Sequence, residues 1–206
     1  MRIVIMGAGG HAQVVADILW RMQETGADVL PVAFLDDNPA LHGQTFLEIP
    51  VMGGTGQLSQ IEHEAVIAAI GHGRIRQQLF VSLQWQGEQF IVARHPTAVI
   101  APDVQIGPGA MICANVVVNT GAVIGQNVIL NTACTIDHHN QIGDHAHVAP
   151  GAHLGGDVWV GEGALVGIGA IVLPQRRIGR WATVGGGAVI VRDVAAGVTA
   201  VGYHTH

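Results

Sequence analysis

Five of the chain's twelve histidines fall within sixteen residues: His138, His139, His145, His147 and His153. Imidazole titrates near neutrality and is the commonest proton carrier among side chains. The densest point is Ile136-Asp137-His138-His139-Asn140-Gln141, where polar Asn140 takes a slot that neighbouring segments fill with a small apolar residue. His138 is therefore the candidate general base. A second stretch able to do chemistry is Gly7-Ala8-Gly9-Gly10-His11-Ala12, which fits G-x-G-x-x-A. Glycines let a backbone approach a phosphate, and a helix opening just after them favours an anion. The acidic pair Asp36-Asp37 follows about two dozen residues later, the place for a carboxylate that accepts hydrogen bonds from a ribose or base. The plainer readings are a surface corner residue for each histidine and a ligand-free turn for the loop.

The element that must position the histidines is a strict repeat. Every sixth residue from Ile100 to Ile190 is Ile, Leu or Val, sixteen in all without a slip. Gly follows many of them, as at Gly107, Gly143 and Gly161, and a small residue such as Ala146 or Cys134 usually stands two places before. Neither a helix nor an ordinary strand has a period of six. A hexapeptide repeat predicts a parallel β-helix in which each hexad forms one side of a triangular prism and three hexads make one coil. Gly or Asn is expected to permit the tight backbone at the corners. Gly156, three hexads after His138, then sits one coil directly above it, where its N–H is a candidate oxyanion donor. His147 lies around the prism and can meet His138 only across a subunit boundary or a groove.

The first 95 residues alternate strand and helix. Strands are predicted at 2–6, 30–35, 49–52, 64–70 and 89–94, and helices at 12–23, 56–61 and 74–83. Val14, Val15, Ile18 and Leu19 are expected on one face of the first helix. This pattern predicts a small open α/β sheet with ligands at the strand carboxyl ends. Its size suits a mononucleotide better than a dinucleotide. His95-Pro96 opens the link, giving two domains: 1–95, a Rossmann-like nucleotide-binding domain, and 96–206, the β-helix.

Composition narrows the classes. Apolar residues make up 49% and mean hydropathy is +0.40, yet no apolar run approaches the ~20 residues that span a bilayer. The β-helix accounts for the excess. The start, Met1-Arg2-Ile3-Val4-Ile5, lacks the features of a signal peptide. Cys113 and Cys134 sit in repeat positions, which suggests core thiols and a reducing cytoplasm. Net charge is −6 and every basic residue is Arg, which argues against a nucleic-acid surface.

Taken together, Gly7-Ala8-Gly9-Gly10-His11, Phe34-Leu35-Asp36-Asp37-Asn38, Ala69-Ile70-Gly71, His95-Pro96-Thr97-Ala98, Leu130-Asn131-Thr132, Ile136-Asp137-His138 and Val184-Gly185-Gly186-Gly187-Ala188 resemble a family. It is that of the bacterial sugar acyltransferases related to sialic-acid O-acetyltransferase and to the N-acetyltransferases of bacillosamine and perosamine synthesis. The resemblance implies a left-handed β-helix, a homotrimer with active sites between subunits, and glycan biosynthesis. It implies acetyl-CoA as cosubstrate, a nucleotide-linked 4-amino-4,6-dideoxy sugar as acceptor, and no metal. By that resemblance Gly9, Gly10, His11, Asp36, Asp37 and Gly71 hold the nucleotide sugar. His138 is the base, and His147, Ile168 and Gly186 contact acetyl-CoA.

The chain departs from the family pattern in two places. The residue after the base is often acidic in the family and here is His139; Asp137 is the nearest carboxylate but is expected to point away. The tail Gly202-Tyr203-His204-Thr205-His206 lacks the usual basic residue, leaving Arg176, Arg177, Arg180 or Arg192 for the CoA phosphates. Competing readings are O-acetylation of a sialic acid or another sugar, a β-helix zinc lyase of the carbonic-anhydrase type, a non-catalytic scaffold, and NAD oxidoreduction.

Overall fold

The computed structural model describes Met1–His204; Thr205 and His206, the end of the atypical tail, lie outside the described residues. The chain forms two compact units, Met1–Pro96 and Thr97–His206.

In the first unit, β1 (Arg2–Met6) is an interior strand of a sheet that also contains β2 (Leu30–Leu35), β3 (Thr45–Phe46), β4 (Ile49–Gly53) and β5 (Ala65–Ala68). The order is β3-β4-β2-β1-β5, parallel except for the β3–β4 hairpin. β1 is buried from Ile3 to Met6, as expected of a central parallel strand whose run is wholly apolar. Two helices complete the unit, α1 (Gly10–Glu24) and α2 (Gly73–Trp85). Val4, Met6, Leu35, Leu58, Val66 and Leu83 form a core cluster.

Three sequence expectations change. Val14 is 41% exposed, so the buried face of α1 is Ala12, Val15, Ala16, Ile18 and Leu19. The helix expected near 56–61 is a 3₁₀ turn over Thr55–Gln60 that buries only Leu58, too little apolar surface for a full helix. The strand expected over 89–94 is interrupted: Phe90 makes one bridge to Val66, and only Ala93–Arg94 forms a strand of two residues.

The second unit is a left-handed parallel β-helix. Each side contributes a strand of two residues, and successive coils pair in register at the predicted three-hexad spacing, as Val117↔Thr135 and Thr135↔His153 show. Near the end the coil tightens: Thr183 pairs with Thr199 and Val189 with Tyr203. From Ile112 to Ile190 the repeat aliphatics are buried, whereas Ile100 and Ile106, in the first coil, are partly exposed. Cys113 and Cys134 are free and fully buried; burial pushes the Cys113 thiol up to about 11 and raises that of Cys134 further. Among the described residues no helix is long and apolar enough to cross a membrane.

The glycines after the aliphatics serve a different purpose from the one expected. The left-handed turn positions are occupied by others, such as Asn115, His139, His145, Asp157 and Gly163. Gly143 and Gly161 instead lie beneath the backbone of the next coil: a Cβ would stand 2.7 Å from Glu162 N and 2.6 Å from Arg180 N respectively.

Candidate active site

The prism has three ladders, and their order around a coil places the histidines. One face carries Thr135–Ile136, the next Gln141–Ile142, the third His147–Val148. His138 stands on the corner between the first two faces and His147 on the third face, so within one chain they lie on opposite sides.

His138 is exposed, and its ring rests on the next coil. A Cβ at Gly156 would collide with His138 Cε1 and Nε2, so only glycine admits this ring position. The backbone ladder passes over the amide beneath. Gly155 N donates to Val172 O (2.9 Å) and Asp157 N to His138 O (3.0 Å), leaving Gly156 N–H between them outside that ladder. Asn140, fully buried, explains the broken hexad. Its Nδ2 donates to Asp137 O (3.0 Å) and its Oδ1 accepts from Val158 N, tying the His138 corner to the coil above.

The two neighbours of the ring divide as the strand geometry suggested. Asp137 Oδ1 accepts from His138 N and from Asn119 Nδ2, both at 2.8 Å, and so fixes backbone rather than imidazole. The Asn119 bond and the His138 N–H, with the nearby His138 ring, hold the Asp137 carboxyl below its ordinary range. The imidazole partner is His139. The two Nδ1 atoms lie 3.1 Å apart with the rings near perpendicular at 77°, so one ring donates and the other accepts. His139 occupies the left-handed region at φ 59°, and Gly121 one coil below makes room for its ring, since a Cβ there would come within 2.6 Å of Cδ2.

The residues expected at acetyl-CoA occupy another region of the prism. His147 is half-buried in the column Ile129–His147–Leu165, and its Nε2 lies 3.2 Å from Asn131 Nδ2. Nδ2 only donates, so His147 accepts there and carries its proton on Nδ1. Ile168 and Gly186 stack on the next corner, joined through Gly187 N to Ile168 O (2.8 Å). Ile168 is 67% exposed and Gly186 also faces out. Of the arginines offered for phosphates, Arg180 binds Glu162 (2.7 Å) and Arg176 donates from Nε to Pro174 O (3.1 Å). Arg177 lies in the Gln141–Trp159 column, away from Ile168 and Gly186.

The first unit has its own pocket of about 250 Å³ at the carboxyl ends of its parallel strands. Gly9, Gly10, His11, Asp36 and Gly71 all line it; Asp37 does not. Gly7 is required by its φ of 109° and by Ala69 O, which would lie 3.2 Å from a Cβ, whereas Gly9 and Gly10 face open space. No side chain caps α1, and its first turn holds no acidic residue, so its leading N–H groups and positive dipole end are open to an anion.

The acidic pair has internal duties. Asp36 accepts from Ala8 N through Oδ2 (2.8 Å) and from Asn38 N through Oδ1 (2.9 Å), which shapes the glycine loop. Asp37 accepts from Thr55 N and Thr55 Oγ1 and caps the 3₁₀ turn. Beneath the pocket lies Arg76, fully buried, with Nη1 donating to Ile70 O (3.0 Å) and Gly71 O (3.2 Å). Burial, followed by the Arg76 charge, lowers the His11 pKa to about 4, and its buried Nε2 has no hydrogen-bond partner.

Sequence reasoning missed Arg76, Asn119, Asn131 and Asp157. Arg76 was detectable, because it shares the i, i+4, i+7 stripe of α2 with buried Phe80 and Leu83. Asn119 and Asp157 lie three hexads from Asp137 and His139, so the register that placed Gly156 could have placed them.

Known proteins share this two-part architecture. Residues 2–83 match the PglD N-terminal domain family. A perosamine N-acetyltransferase mutant from Caulobacter crescentus, solved with CoA and GDP-perosamine, is 35% identical, with a TM-score of 0.90 over 98% of this chain and 94% of that one. The acetyltransferase domain of PglB from Neisseria gonorrhoeae FA1090 is 36% identical (TM-score 0.88, 98% and 96% covered). WeeI from Acinetobacter baumannii AYE is 31% identical (TM-score 0.87, 98% and 97% covered). The chain belongs to the sugar acyltransferase family that joins a PglD-type N-terminal domain to a hexapeptide-repeat left-handed β-helix.

Proposed function

We propose that the protein is an acetyl-CoA-dependent N-acetyltransferase acting on the amine of a nucleotide-linked 4-amino-4,6-dideoxy sugar. The observation that carries this reading is the His138 ring seated on Gly156 with Nδ1 against His139. The relative solved with CoA and GDP-perosamine supports the substrate class. In the productive tautomer His138 Nδ1–H donates to His139, and the Nε2 lone pair takes a proton from the sugar amine as nitrogen attacks the thioester carbonyl. Gly156 N–H stabilises the oxyanion. The C–S bond then breaks, and CoA leaves as the thiol once protonated. Both substrates bind together, so positioning supplies much of the rate.

The nucleotide sits on Gly9, Gly10, His11 and Gly71, with Asp36 at the rim and Asp37 one step outside it holding Thr55, and the residues 1–95 serve as the nucleotide-sugar domain. The β-helix of residues 96–206 performs the transfer, with acetyl-CoA along His147, Ile168 and Gly186. His138 and His147 lie on opposite sides of one prism, which supports a homotrimer whose corner-to-face contacts unite them. Dependence on acetyl-CoA fits a cytoplasmic location.

The test is thiol release from acetyl-CoA with UDP-, GDP- and dTDP-linked 4-amino-4,6-dideoxy sugars and free sialic acid. Turnover with one amino sugar, reduced at least 100-fold in His138→Ala, is expected. Release with sialic acid alone would move the assignment to O-acetylation.

A further inference from the structure

The His138 corner carries a third group that the acyl-transfer reading does not use. Asp157, one coil beyond His139 in the same column, brings a carboxylate oxygen to the histidine pair. The ligand atoms of His138, His139 and Asp157 all lie within 4.8 Å of one another, and all three residues are exposed. Their backbone is fixed by the ladder: His139 N donates to Thr120 O and Asp157 N to His138 O, both at 3.0 Å. His139 and Asp157 adopt the same left-handed conformation, φ 59° and 58°, so the two side chains leave equivalent corners in parallel.

We propose that this corner is a divalent-metal site of the zinc class whose occupation switches the base off; the binding stands alone, and the switch rests on His138 as base. Zinc takes nitrogen at about 2.0–2.1 Å, so two nitrogens of a tetrahedral site are roughly 3.4 Å apart. The paired Nδ1 atoms at 3.1 Å need to separate by a few tenths of an ångström, with both rings turning so that their lone pairs converge on the metal. Asp157 supplies the third ligand, and exposure leaves the fourth position to water, an arrangement of three protein ligands with one open site. Two imidazoles and one carboxylate select zinc, nickel or copper over magnesium or calcium, which require oxygen. A carboxylate between imidazoles also supplies the charge that a histidine pair alone lacks.

The functional consequence is set by the tautomer. The Nδ1 that now shares a proton with His139 must present its lone pair to the metal. A neutral imidazole bound through Nδ1 carries its one proton on Nε2. The lone pair that would receive the amine proton is then absent, and the ring cannot act as base. No proton is lost overall; it moves from one nitrogen of His138 to the other. The metal also locks the ring over Gly156, so zinc is a reversible brake and not a cofactor.

The experiment titrates zinc chloride into the intact chain, Asp157→Asn and His139→Asn, reading bound metal by equilibrium dialysis, with magnesium chloride as control. Asn is at ease in the left-handed conformation of these corners, and matching thermal melts establish that the variants fold. The wild type is expected to take one more zinc per chain than either variant, or to bind it at least tenfold more tightly, and to ignore magnesium. Acetyl transfer, normalised to each protein's own zinc-free rate, is expected to fall as that site fills. A chelator should restore it, and Asp157→Asn should need at least tenfold more zinc for the same inhibition. Equal zinc uptake by all three chains would overturn the site. Zinc bound at the corner with wild-type transfer undiminished would overturn the brake. Failure of the zinc-free wild type to acetylate any amino sugar would overturn the acyl-transfer reading, while the zinc count would still decide the site.

Discussion

The ring of His138 occupies the space in which a Cβ on Gly156 would stand. This single relationship joins two coils, and it makes the glycine as specific as the histidine. Gly156→Ala tests it. The backbone at 156 is outside the left-handed region, so alanine is conformationally acceptable, and an exposed ring can swing away at little cost to stability, about 1 kcal/mol or less. The displaced base is lost to catalysis. We expect a kcat reduction of roughly 10²-fold, close to that of His138→Ala, with a melting temperature lowered by no more than about 4 °C. Wild-type kcat in the alanine variant would dissociate the ring position from the reaction.

The His139 ring reaches His138 through a hydrogen bond between Nδ1 atoms. A net bond of about 1 kcal/mol corresponds to a rate change of roughly five- to tenfold. His139→Asn should lower kcat by that factor and leave KM for both substrates unaltered. His139→Asp places a carboxylate on the same corner and should recover the rate, while raising the acid-limb pKa of kcat because a carboxylate stabilises imidazolium. A purely structural role for His139 would leave the pH profile of both variants unmoved.

The stacking glycines are predicted to matter more than the turn glycines. At Gly161 a Cβ meets Arg180 N at 2.6 Å and Gly179 C at 2.8 Å, backbone atoms held in the next coil's ladder. Gly161→Ala must force adjacent coils apart. A loss of several kcal/mol is expected, seen as a fall in melting temperature of roughly 10 °C or more. Gly187, in the left-handed region with open space around it, should cost only about 1 kcal/mol as alanine.

The β-helix was readable because its signal is a period, and a period fixes register. Knowing that three hexads close one coil was enough to set Gly156 on His138 from the sequence alone. The same arithmetic pairs His139 with Asp157 and Asn119 with Asp137, relationships visible in the sequence but not drawn from it. What no period encodes is the partner that a loop side chain turns to. Asp37, adjacent to the pocket residue Asp36, turns to Thr55, because a 3₁₀ turn needs a cap. The reason for the glycines that follow the aliphatics was likewise hidden: tight turns account for corner glycines such as Gly121 and Gly163, while at Gly143 and Gly161 the constraint is the backbone of the next coil. The N-terminal sheet was legible where apolar runs are long and failed at the interrupted segment near Phe90, which makes only a single bridge.

His63 links stability to pH in one direction. Its Nδ1 lies 2.7 Å from Ile61 O and its Nε2 2.9 Å from Glu88 Oε2. Burial opposes protonation, but the Ile61 carbonyl and Glu88 outweigh it, and the pKa is raised. A raised pKa means that the folded state holds the proton more tightly. The stabilisation is therefore complete below the ordinary histidine value of 6.5 and is lost as pH rises through the folded value. The stability advantage of wild type over His63→Gln should be larger at about pH 5.5 than at about pH 8. An advantage independent of pH would remove the ion pair from the account.

His11 runs the other way. Burial and then the Arg76 charge depress its pKa to about 4, so the folded protein resists the proton that the unfolded chain accepts near 6.5. Stability should fall as pH drops from 6.5 toward 4, and His11→Asn should flatten that decline in urea midpoints. The pocket adds a second expectation. A diphosphate at the open N-terminus of α1 would bring negative charge beside His11 and offset Arg76. Nucleoside diphosphate should then raise the His11 pKa from about 4 toward its ordinary value, read by proton NMR of the imidazole during a pH titration. The nucleotide should also bind more tightly as pH falls, because the site that gains a proton on binding is favoured in acid. A His11 titration unmoved by saturating nucleotide would place the phosphates elsewhere than on the glycine loop.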